Sequence, residues 1–62
     1  MNYKQLLADF YLSLLTIPAH SSFRLDNQLL YATTRDALAT ELFETPEAVQ
    51  RIFERMAQED QQ

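Results

Sequence analysis

Not one of the 62 residues is glycine. Glycine reaches positive φ without steric cost, so it normally ends helices and makes the tightest hairpin turns. A chain without it must turn with Asp, Asn, Pro or Ser, and long helices are favoured. Cysteine is absent too, and there is a single histidine. Neither a disulfide nor a structural zinc site can therefore staple the fold. A chain this short makes one domain, residues 1–62, and buries only about 60% of its unfolded surface. Its stability has to come from efficient helix packing or from a partner, and a second copy of the chain is the simplest partner.

The apolar fraction of 47% with 23% charged residues is that of a globular domain, not a disordered one. The net charge of −4 argues against a basic nucleic-acid coat and against attraction to an anionic membrane. The apolar opening could be misread as a signal peptide. Asp9 interrupts it, its apolar residues recur helically, and no small-x-small cleavage pattern follows. No stretch suits a membrane span. The expected setting is cytoplasmic, with Met1 as a native start.

Periodicity predicts an N-terminal amphipathic helix over 2–17. Tyr3, Leu6, Leu7, Phe10, Tyr11, Leu14 and Leu15 follow the i, i+3, i+4, i+7 series. Ala8 and Leu12 widen the apolar face beyond one stripe. The wide face is read in two ways: one broad core face, or burial on two sides, by this chain and by a second one. In the second reading Tyr3, Leu7, Phe10, Tyr11 and Leu14 form a dimer interface. Pro18 ends the helix, because the residue before a proline leaves the α region.

Residues 19–33 have two readings. Asp26-Asn27 is a turn-prone pair, and a short β-hairpin over 22–32 could flank it. Alternatively, Asp26 caps a helical turn carrying Leu29, Leu30 and Tyr31. The hairpin is the preferred reading. Beyond it, Thr33 or Thr34 is expected to cap a helix, with Asp36 completing a weak capping box. Ala37, Leu38, Leu42 and Phe43 form that helix's apolar face. Thr45 and Pro46 then open the last helix, running to about Glu59, with Val49, Ile52, Phe53 and Met56 inward. Glu47 with Arg51, and Arg55 with Glu59, are expected surface ion pairs.

Two helices joined by a three-to-four-residue turn over 34–59 make the frame of a helix-turn-helix. Ala39 is the small residue expected where the helices cross, and Val49 the β-branched core residue of the second. The residues that fit in register are Thr34-Arg35, Leu38-Ala39 and Pro46-Glu47-Ala48-Val49-Gln50-Arg51. They resemble the DNA-binding end of the cyclic-AMP receptor (catabolite activator) family. The match covers about a third of the chain. It departs at Pro46, where the family has its first recognition arginine, and at Phe43, where the family has a small turn residue. Too few residues follow Met56 for a wing hairpin. The resemblance implies a small, dimeric transcriptional regulator that reads double-stranded DNA with Arg35, Glu47, Gln50, Arg51 and Arg55. An arginine there can bond guanine in fork geometry, and a glutamate can accept from cytosine.

The charge balance points elsewhere. Between Thr33 and Met56, Arg35, Arg51 and Arg55 are outnumbered by Asp36, Glu41, Glu44, Glu47 and Glu54. Phosphate contacts supply most non-specific affinity, and three cations supply little of it. The alternative is a protein-binding module on the same scaffold, such as a phage- or plasmid-type inhibitor or adaptor. Those five acids would then meet a basic protein, itself a nucleic-acid binder. No enzyme activity is expected. His20, Ser21, Ser22 and Asp26 share one loop in a chain too small to build an oxyanion hole around them. No metal-ligand spacing and no phosphate-binding glycine loop is present, so no cofactor is expected. The expected architecture is thus mainly α: a small three-helix domain with a long N-terminal helix and a C-terminal helix-turn-helix.

Overall fold

A computed structural model of the chain describes residues 2–60, which form four helices and no strand. These are α1 (Tyr3–Leu15), α2 (Ser22–Asp26), α3 (Gln28–Leu42) and α4 (Pro46–Asp60). The mainly α class stands. The three-helix count and the hairpin over 22–32 do not.

Local chemistry explains the change. Ser21 caps α2, its side chain accepting from the Arg24 N–H at 3.3 Å. The tight hairpin turn needs positive φ at both central residues. Asn27 instead sits at φ −122, ψ 31, ending α2 and opening α3 in one step. Its side-chain amide donates to Phe23 O at 2.8 Å. With the turn confined to Asn27, α3 starts six residues before the expected cap at Thr34. Thr34 lies buried in mid-helix and donates its hydroxyl to Leu30 O at 2.7 Å, satisfied without capping anything.

The flanking helices follow the expected signals more closely. Asn2 caps α1 by accepting from the Gln5 N–H at 2.8 Å. The helix ends at Leu15, two residues earlier than expected, and Thr16 follows with Pro18 beyond. Thr45 caps α4 by accepting from the Ala48 N–H at 3.1 Å, and Pro46 is the first helical residue. Inside α4 the buried positions are Val49, Phe53 and Ala57. Ile52 and Met56, expected inward, are largely exposed. The i, i+4, i+8 row through Ala57 therefore faces the core.

α3 packs against all three other helices, and α1 and α4 close the bundle. Leu38 and Val49 are its most enclosed side chains, joined by Ala39, Leu15, Tyr11, Phe53 and Ala57. Tyr11 and Phe53 meet with ring centroids 5.6 Å apart. The end of α1 is clasped by two side chains. The Tyr31 hydroxyl donates to Leu14 O at 2.6 Å, and Arg24 Nε donates to Ile17 O at 3.2 Å. Both carbonyls lie at or just beyond the last turn of α1, where helical partners run out.

Candidate interaction surface

The turn between α3 and α4 is three residues, 43–45. Glu44 N–H donates to Ala39 O at 3.0 Å and Phe43 N–H to Thr40 O at 3.3 Å. That six-to-one and five-to-two pairing is a Schellman motif, whose αL position is normally glycine. Here it is Phe43, at φ 56, ψ 42. The side chain, expected on the apolar face, is 94% exposed. Glu44 and Glu47 are exposed beside it in sequence, and Glu41 is half-buried one turn back. The turn thus presents an aromatic tip among three carboxylates.

The residues assigned to DNA by resemblance separate into two groups. Arg35 donates from Nε to Asp36 Oδ1 at 3.0 Å and from Nη1 to Gln50 Oε1 at 2.9 Å. Its side chain is only 29% exposed. Arg35 and Gln50 therefore bridge α3 and α4. Glu47, Arg51 and Arg55 are all exposed, at one-turn intervals along α4. Gln50 points about 100° around the helix from Arg51. The three arginines do not share one exposed face. Glu47 precedes Arg51 by one turn and Glu59 follows Arg55 by one turn, so carboxylates bracket the two exposed cations. Neither expected ion pair closes, and Arg35 with Asp36 is the only salt bridge among the described residues.

Of the five acids assigned to a protein partner, Asp36, Glu44 and Glu47 are exposed, and Glu41 and Glu54 are half-buried. Asp36 is engaged by Arg35.

The expected dimer residues also divide. Tyr11 and Leu14 are enclosed by the chain's own helices, and Leu7 packs against the core. Tyr3 and Phe10 are exposed, at 60% and 47%. Leu6, not assigned to the interface by sequence, is exposed with them, and the three recur at i, i+3, i+7 on α1. Leu25 and Leu29 add a second exposed apolar pair around the α2–α3 junction.

A cavity of about 230 Å³ opens between the helices, with Tyr11, Arg24, Arg35, Gln50 and Glu54 in its wall. Burial pushes the Tyr11 phenol above its ordinary value of 10.0, Arg35 pulls it back, and Glu54 adds to the rise. Arg24 lies over the Tyr31 ring with its guanidinium carbon 4.7 Å from the centroid. Nearby, His20 is exposed and Ser21 is occupied with its cap.

Two features escaped sequence reading. Phe43 carried a signal: a helix that ends three residues before the next cap needs an αL residue, and no glycine is present to take it. The Arg35–Gln50 bond carried none, because it depends on how α3 and α4 cross. No helix of the described residues is long and apolar enough to cross a membrane. No family model, curated protein or solved structure matches the chain.

Proposed function

We propose that this chain is an acidic helical module that binds another protein through the turn between α3 and α4. Phe43 carries the reading. A phenylalanine in αL, exposed to water, costs the fold on two counts. The backbone strain is about 1–2 kcal/mol, and the ring's apolar area stays wet. Glycine or asparagine would serve the turn better. An aromatic side chain held rigidly in the open is, however, what anchors protein interfaces. The surrounding Glu41, Glu44 and Glu47 select a partner whose apolar pocket is rimmed by Lys or Arg. An inhibitor or adaptor of a basic, nucleic-acid-binding protein meets that description, in a cytoplasmic setting.

The module is a homodimer in this reading. Two copies of charge −4 repel, so they meet best where neither carries charge. Tyr3, Leu6 and Phe10 provide such a stripe on α1, suited to an isologous helix pair.

The regulator reading keeps one observation in its favour: Arg51 and Arg55 are exposed, a turn apart, and free of ion pairs among the described residues. A photo-crosslinking amino acid separates the two. Benzophenone-phenylalanine is placed at Phe43 in one variant and at exposed Ser13 in another, and irradiated in cells. A protein adduct that forms at Phe43 and not at Ser13 supports the module. A nuclease-sensitive adduct supports the regulator. Equal labelling at both positions, or none, contradicts docking through the turn.

A further inference from the structure

The cavity between the helices is lined by charges of both signs. Arg24 and Glu54 are both half-buried and both line it, yet they make no salt bridge with each other or with any described residue. Tyr11 also lines the cavity. The residue is 2% exposed, and its hydroxyl, bonded to no described residue, is reached by solvent. Three different polar groups, one cationic, one anionic and one neutral donor, thus line one space.

The cations are also held in place in advance. Arg24 is fixed by Ile17 O at its Nε and by the Tyr31 ring beneath it. Arg35 is fixed by Asp36 at Nε and Gln50 at Nη1. The bonds that take Arg35 and Gln50 away from a DNA-facing surface orient them at this cavity. Each guanidinium keeps further N–H groups for a ligand. Leu15 and Leu25 supply apolar wall.

We propose that the cavity binds a free α-amino acid with an apolar side chain. Its carboxylate would take the remaining guanidinium N–H groups of Arg24 and Arg35, as planar forks prefer. Its ammonium would take Glu54. The Tyr11 hydroxyl would donate to the carboxylate, and the side chain would lie against Leu15 and Leu25. A plain carboxylate would leave Glu54 unmatched and face its repulsion. A plain amine would face two arginines. A zwitterion matches both signs, and the volume suits one molecule of that size. This reading is independent of docking through the turn.

The probes are L-leucine, L-methionine and L-phenylalanine, with 4-methylpentanoate and 3-methylbutylamine as analogues of leucine lacking one charge. Each is titrated at millimolar concentration into the uniformly nitrogen-15-labelled protein and followed by NMR. At least one amino acid is expected to shift the signals of Arg24, Arg35 and Glu54 in a saturable way, with leucine ahead of both analogues. Tyr11→Phe keeps the ring and removes only a hydroxyl that the fold does not use. It should leave the unfolding midpoint unchanged and weaken binding about tenfold. Glu54→Gln should bring leucine down to the level of 4-methylpentanoate. The proposal is overturned if no amino acid shifts these signals, if the analogues bind as well as leucine, or if Tyr11→Phe leaves affinity untouched.

Discussion

Phe43 holds an αL backbone at φ 56 because the chain must turn there and has no glycine to do it. The same residue separates folding from function. Phe43→Gly relieves the αL strain and should raise stability by about 1 kcal/mol, a rise of roughly 4–8 °C in Tm. It should also abolish the proposed docking of a protein through the turn. A thermal melt that falls instead would show the ring packing where its exposure says it does not. Tyr11 gives a second residue-scale test. Its folded pKa is raised by burial. The stability held by the neutral phenol is fully present below the unfolded value of 10.0 and is lost as pH rises through the folded pKa. Urea titrations at about pH 8 and about pH 11 should show this loss, and Tyr11→Phe should reduce it. Tyr11 was legible as an apolar position on α1, since the helical series names it. Its enclosure by this chain rather than a second copy was not, because periodicity gives a face and not its occupant.

At the scale of elements, capping chemistry was the most readable signal and the most misleading one. Asn2, Ser21 and Thr45 each cap a helix through a side-chain oxygen. Thr45-Pro46-Glu47 reads correctly from the sequence because cap, φ-restricted first residue and acidic first turn agree. Thr33-Thr34 carried a similar pattern and capped nothing, since threonine inside a helix can bond back to the carbonyl four residues earlier. That competition is decided by what precedes it, and Asn27 allowed α3 to start early. Thr45→Ala should therefore cost about 1 kcal/mol in chemical denaturation. Thr34→Val, at a buried site where the hydroxyl meets only Leu30 O, should cost less. If the two costs were reversed, Thr34 would be acting as the cap after all. On α4 the amphipathic pattern correctly set Val49 and Phe53 inward. It also set Ile52 and Met56 inward, whereas the buried row runs through Ala57, because periodicity does not fix the angle at which the other helices approach.

For the whole molecule, a small core coexists with an unusual amount of exposed apolar surface. Tyr3, Leu6 and Phe10 on α1, Leu25 and Leu29 at the α2–α3 junction, and Phe43 are all exposed. Patches of this kind mark interaction surfaces. The mainly α class follows from absent glycine and helical periodicity, so it was legible. The four-helix arrangement was not, since α2 is five residues long and owes its existence to Ser21 and Asn27. Sedimentation equilibrium should find a dimer at tens-of-micromolar concentration, and Phe10→Glu should give a folded monomer with unchanged helix content. A monomeric wild-type protein would contradict the α1 interface while leaving the turn's role intact.

The surface formed by α3, the turn and α4 is proposed to meet a protein and not a nucleic acid. The most direct test is fluorescence anisotropy of labelled random duplex DNA, titrated with the purified protein at low and at physiological salt. The expected result is no binding at physiological salt, because Arg35 and Gln50 are bonded to each other and Glu47 and Glu59 bracket the remaining cations. Micromolar or tighter binding that weakens steeply with salt, and is lost in Arg51→Ala, would contradict the account and return the chain to the regulator reading.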